Sequence, residues 1–310
     1  MRITAILMSL ALTAFGTGAH AQDGQPSAHL QLREDMVRMA RVDAALTAQL
    51  GDACAVEAAE SGLRIDSIDA YPATARDAAS AALELSALAQ VYFVASGSAA
   101  DLAGVKAGDE FLTLYGLDPA QAISTTEGVS LADRIERFLS QRSAGEDVQL
   151  VVRRDDRTLA FTLTPRMRCR HVAVVAVDED VKAYSDATGL AVTTGLMRSL
   201  RNDDELAVVV GHELAHIALY DYFRDARIRG KRKEDIVDAI GTRLAGCAGY
   251  DLAKGLQFWL HYDEARRKSF LPSFTHRSSK KRFRAAQPLI ADQSCDTLQS
   301  DIAALHASRR

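Results

Sequence analysis

Gly211-His212-Glu213-Leu214-Ala215-His216 is the stretch on which the reading of this 310-residue chain turns. It sits within Asp203 to Tyr220, where Leu206, Val209, Val210, Leu214 and Ile217 recur at helical spacing. Asn202-Asp203-Asp204 offers N-cap candidates and first-turn negative charge, so a helix is expected to begin there. On that helix His212 and His216 stand one turn apart on one face, where both imidazoles can reach a single ion. Glu213 projects beside them, placed to hold a water and take its proton. Two His and a Glu are costly to bury on an apolar helix without a metal or polar partners, which argues against an accidental match. The grouping is the one a zinc hydrolase needs.

Catalytic zinc takes a third protein ligand and keeps one position open. Glu234 follows His216 by 18 residues and opens a second apolar-periodic stretch with Ile236, Ile240 and Leu244. Arg229-Gly230-Lys231 supplies the turn that can bring it back alongside the His pair. Asp238, one turn on, shares its face and can orient a ligand His through the second ring nitrogen. Spacing alone leaves Glu234 and Asp238 equally open to being solvated surface residues.

Together these residues resemble metallopeptidase family 48, the gluzincin group of HtpX-type and CAAX-prenyl-protease-type enzymes, with HExxH on one helix and ExxxD on the next. Asn202 to Ala207 is similar to the family's run before its motif, and Gly189 to Leu196 to its edge strand and following turn. Ala248-Gly249-Tyr250-Asp251 matches its helix ending, and Thr275-His276 with Arg282 resembles its Thr-His-Pro and Arg element. The resemblance spans about residues 170 to 290. It implies one Zn2+ per chain held by His212, His216 and Glu234, with Glu213 as the base that activates water for peptide-bond hydrolysis. A tetrahedral oxyanion also needs a donor; His276 is the first candidate and Tyr262 the second. The strand at Leu190 to Thr194 is expected to be an edge that pairs with an extended polypeptide substrate. His29, His171, His261 and His306 lack ligand spacing and are read as structural. Three departures stand out: Lys182-Ala183-Tyr184 where Asn-Ala-aromatic is usual, Arg277 in place of the Pro, and a short spacer between the zinc helices.

Upstream, the texture is that of short strands around one helix. Val91 to Ala95, Phe111 to Tyr115, Val148 to Val152 and Leu159 to Leu163 read as strands, with Leu131, Ile135 and Leu139 on one helical face. Gly97-Ser98-Ala99-Ala100-Asp101-Leu102-Ala103-Gly104-Val105-Lys106-Ala107-Gly108-Asp109 resembles the signature of a bacterial PDZ domain. Gly104 and Gly108 stand where tight turns need positive φ, and Asp109 can cap the turn. That resemblance implies a possible C-terminal peptide ligand added as a strand, with Leu83 to Leu88 as the carboxylate loop. The fold expected is therefore α+β: a PDZ-like small β-barrel over 75–165, followed by a mainly helical zincin domain with a small sheet over 166–310. Residues 22–74 read as an N-terminal helical segment, with helices from Leu30 to Leu50 and from Thr74.

Arg2, the apolar run Ile3 to Phe15 and Ala19-His20-Ala21 have the form of a secretory signal peptide over residues 1–21, with cleavage expected after Ala21. Its apolar run is shorter than the roughly 20 residues a membrane span needs, and no later stretch is longer. A periplasmic or secreted protein follows, in which Cys54, Cys169, Cys247 and Cys295 can pair in any of three ways. A net charge of -4 with no basic cluster of nucleic-acid character excludes nucleic acid as the expected partner. The rival class is a periplasmic peptide-binding or chaperone-like scaffold whose zinc site is structural or latent. A structural site has no use for Glu213 or an open coordination position, and that is what separates the two.

Overall fold

The computed structural model describes residues 27–51, 53–54, 56–143, 145–265, 277–291 and 294–308, so the signal-peptide reading of 1–21 lies outside the described residues. Among the described residues the chain divides into two compact units, one of Arg41–Glu57 with the chain from Arg168 onward, the other of residues 27–40 with Ala58–Met167.

Helix α1 (Ala28–Leu50) opens the described chain. It is followed by strands β1 (Glu57–Glu60) and β2 (Leu63–Asp66) and helix α2 (Arg76–Leu83). Strand β3 (Gln90–Val94), helix α3 (Ala99–Ala103), strand β4 (Glu110–Leu114) and helices α4 (Pro119–Ala122) and α5 (Leu131–Ser140) come next. Strands β5 (Val148–Arg154), β6 (Arg157–Leu163) and β7 (Arg166–Cys169) complete this part, and β7 pairs with β1. Five strands form an antiparallel sheet in the order β2-β3-β4-β5-β6. The sheet is open where a small barrel was expected: β2 and β6 are its outer strands, and no pair joins them among the described residues.

Its core is Leu63, Ile65, Val91, Phe111, Leu150 and Val152 against the buried face of α5, Ile135 and Leu139 included. The turns follow the residues that were read for them. Gly104 and Gly108 have φ of 90° and 93°, Ser98 caps α3, and fully buried Asp109 accepts the Lys106 N–H and a two-pronged grip from Arg154.

Two expectations are corrected in this unit. The 22–74 segment is not helical throughout, because β1 and β2 lie within it; strands of four residues carry too little alternation to be read before their partners are known. Leu83 to Leu88 does not border an open sheet edge. It leads into β3, which is flanked by β2 and β4, and Leu83 and Leu85 pack instead with Tyr71 and Ala79.

One of the two outer strands is β2, and its Ile65 N–H is held at 2.7 Å by the Glu136 carboxylate from α5. Burial pushes the Glu136 carboxyl up to about 7, against the lowering pull of Arg64 and the Ile65 N–H. The folded state therefore keeps this proton to a higher pH than the unfolded chain. The stability it contributes is full below the ordinary value of 4.5 and is lost as pH rises through about 7. Glu136→Gln should melt a few degrees above wild type at pH 8, with the gap closing by pH 5. An equal gap at both pH values in thermal scans would contradict this.

The second unit begins with β8 (Val172–Ala176), β9 (Ala183–Ser185) and β10 (Gly189–Thr193), followed by α6 (Thr194–Ser199) and α7 (Asp203–Ala218). Helices α8 (Tyr220–Asp225), α9 (Gly230–Cys247), α10 (Leu252–Gly255), α11 (Phe258–Ala265), α12 (Ser279–Ala286) and α13 (Leu298–Ala307) follow. The small sheet has the order β8-β10-β9, with β10 parallel to β8 and antiparallel to β9. The strand over Leu190 to Thr194 is thus central, not an edge; both its neighbours claim its main-chain groups, and the edge role passes to β9.

Helix α7 is buried almost all round, from Glu205 to Ala215 without a break, as befits a helix at the centre of its unit. Cys54 bonds Cys169 and Cys247 bonds Cys295, which selects one of the three possible pairings. No helix among the described residues is long and apolar enough to cross a membrane.

Candidate metal centre

Helix α7 is capped by side chains at its start. Asn202 Oδ1 accepts the Glu205 N–H at 2.9 Å, and the Glu205 carboxylate reaches back to the Arg201 N–H at 2.9 Å. Buried His261 holds the other Glu205 oxygen at 2.9 Å, so the start of the helix is pinned on both sides. Two turns on, His212 and His216 lie on one face with ring centroids 4.8 Å apart.

Helix α9 delivers the third group, and two glycines let it come close. A Cβ on Gly241 would stand 2.6 Å from the Gly211 and His212 backbone, so α7 and α9 touch main chain to main chain at this crossing. Glu234, buried in the first turns of α9, thereby brings Oε2 to 3.5 Å from His212 Nε2 and 3.4 Å from His216 Nε2. Donor atoms of the three residues lie within 4.8 Å of one another.

Asp238, one turn along α9, accepts a hydrogen bond from His212 Nδ1 at 2.8 Å. The proton is then on Nδ1 and the Nε2 lone pair is free to face the Glu234 side. Arg282 from α12 donates Nε to Asp238 Oδ2 at 2.8 Å and Nη2 to Oδ1. Arg282 Nη2 also lies 3.0 Å from His212 Nδ1, but both nitrogens carry hydrogens, so the carboxylate between them is the acceptor for each. The guanidinium stacks on Trp259 with 3.5 Å to the ring centroid, and the same indole meets His212 edge-on.

Burial pushes the Asp238 carboxyl up, but hydrogen bonds from His212 and Arg282 outweigh it and hold it at about 2. Burial lowers the His216 pKa, with smaller opposing contributions from Glu234 and Glu213, so the ring is neutral, the form that binds metal. Among the described residues, buried His216 Nδ1 has no hydrogen-bond partner.

Two imidazoles and a carboxylate whose donor atoms converge are the donor set of a catalytic zinc, and the residues present fit it. Glu213, also buried, lies next to these groups in the chain, and its Oε2 accepts a hydrogen bond from Ser185 Oγ on β9 at 2.6 Å. Asp238→Asn keeps the shape but weakens the grip on the His212 proton. Zinc affinity should fall roughly 10- to 100-fold in a chelator competition; unchanged affinity would remove Asp238 from the ligand-orienting role.

The structure brings together His212, Glu213, His216, Glu234, Asp238 and Arg282, all of which were singled out in the sequence. His276 lies outside the described residues. Tyr262 packs its ring on Phe258 and Trp259. The other histidines among the described residues have other partners: His171 with Asp43, His261 with Glu205, His306 with the Ala218 carbonyl, and His29 against Tyr71. Three residues that shape the site were missed. Gly241 carries no local signal; Trp259 is the chain's one tryptophan; Ser185 directly follows the Lys182-Ala183-Tyr184 triplet.

Comparison with known proteins places the same segment. The family model described as Peptidase family M48 matches residues 145–232, which include His212, Glu213 and His216 and stop short of Glu234. Two curated proteins named Protease HtpX are similar over 137 residues, 38% of this chain and 47% of theirs. One is from Xanthomonas campestris pv. campestris (strain B100) at 29% identity, the other from Xanthomonas axonopodis pv. citri (strain 306) at 30%. The chain spans about half the length of the curated relatives it matches. Among solved structures, an HtrA-type protease AlgW with a decapeptide and the HtrA3 PDZ domain with a phage-derived ligand each match 36% of this chain at 18% identity and a TM-score of 0.27. The match covers 30% of the first and 89% of the second.

Proposed function

We propose that this chain, whose residues 145–232 match the model of peptidase family M48, is a zinc-dependent endopeptidase of zincin type that hydrolyses peptide bonds in exported or misfolded proteins. The observation that carries this reading is the convergence of His212, His216 and Glu234 with Glu213 next to them. His212, His216 and Glu234 would hold one zinc. When bound, the ion supplies Lewis-acid polarisation of the scissile carbonyl and makes the attacking water more acidic. Glu213 accepts that water's proton and passes it to the leaving amine. Asp238 and Arg282 keep His212 in the tautomer that offers Nε2. His276 is proposed as oxyanion donor, on the sequence resemblance alone.

The unit built on β2 to β6 is proposed to recruit or gate polypeptide substrate through its β2 edge, where the Ile65 N–H already has a carboxylate partner in Glu136. A periplasmic or secreted location is proposed with it, supported by the two disulfides, which persist in an oxidising compartment.

The test is cleavage of an unfolded protein such as casein by the zinc-loaded chain. Activity should disappear with a chelator and return with zinc. A zinc-binding chain that cleaves nothing would favour the scaffold reading.

A further inference from the structure

Strand β9 is three residues long and carries a side chain that hydrogen-bonds Glu213. Ser185 Oγ donates to Glu213 Oε2 at 2.6 Å. The strand does not need that bond to stay in place: Leu190↔Ser185, Ala191↔Tyr184 and Val192↔Ala183 register it against β10 through the main chain. Ala183 and Ser185 share one face of the strand by its two-residue period, and the hydrogen bond shows that this face is turned toward α7. With β10 central and β8 at the far side, β9 is the sheet edge on the Glu213 side.

We propose that Ser185 is a positioning residue for the base: its hydroxyl fixes one oxygen of the Glu213 carboxylate and leaves the other to meet the attacking water, tying the edge strand to the base. The inference rests on the endopeptidase reading. A carboxylate on two rotatable side-chain bonds beyond Cβ sweeps a wide arc, whereas a charge-assisted hydrogen bond of this length holds it to one orientation. An extended substrate that adds to β9 thus pairs with the strand that orients the base, so binding and orientation are coupled through one residue.

A purely structural hydroxyl and a positioning one differ in what they move. Ser185→Ala should lower kcat about 10-fold or more, with KM, zinc content and melting temperature as in wild type. Ser185→Thr keeps the hydroxyl and suits a strand, and should restore most of the rate. Wild-type kcat in the Ala variant would overturn the inference while leaving the endopeptidase reading intact. So would a loss carried by KM alone, or a fall in zinc content and melting temperature that Thr does not rescue. A wild-type chain with zinc and no peptidase activity would sink the reading and this inference together.

Discussion

Glu213→Gln should bind zinc as wild type does and lose roughly 10²- to 10⁴-fold in kcat/KM on an unfolded substrate. Glutamine keeps the size of the side chain and an oxygen for the Ser185 hydroxyl, so the local arrangement around β9 persists. None of the three ligand residues changes. What disappears is a group that can take a proton and return it, because an amide is not a base near neutral pH. Zinc content measured beside the rate separates this from loss of the metal. A variant with full zinc and near wild-type activity would mean that Glu213 is not the base.

Gly241→Val should be nearly as damaging, for a reason that has nothing to do with chemistry. A Cβ at this position would be 2.6 Å from backbone atoms of Gly211 and His212, and neither partner is a flexible side-chain end that can step aside. Helix α9 must then move off α7, taking Glu234 and Asp238 with it. Overpacking of this kind costs roughly 1–3 kcal/mol, or a melting point lower by about 3–10 °C in a unit of this size. Zinc binding should weaken as well, since Glu234 Oε2 can no longer lie between the two Nε2 atoms. Calorimetry with and without zinc would show a smaller metal-induced gain than in wild type. A normal gain would show that the crossing does not set the ligand geometry.

The two kinds of residue in these predictions were not equally visible in the sequence. His212, Glu213 and His216 are related by one turn of one helix, and local periodicity is enough to place them together. Glu234 and Asp238 needed the family resemblance, because spacing cannot say how two helices cross. Gly241 states how they cross, but only opposite Gly211, 30 positions away in the chain. The sheet was misread for a similar reason. Whether Gly189 to Thr193 is an edge depends on β9, and a three-residue strand shows no alternation to read. The turns at Gly104 and Gly108 were legible residue by residue, since these glycines and Asp109 act within a few positions. The outer strand Leu63 to Asp66 was not, for it is defined by pairing with Gln90 to Val94.

The central claim is that His212, His216 and Glu234 hold a zinc with a position left open. Zinc-edge X-ray absorption on the zinc-loaded chain tests it directly. All four cysteines are in disulfides, so the account predicts nitrogen and oxygen scatterers alone at about 2.0–2.1 Å, with two imidazoles among them. The imidazole signal should drop by one in His216→Ala. Sulfur at about 2.3 Å, or a chain that retains no zinc, would contradict it.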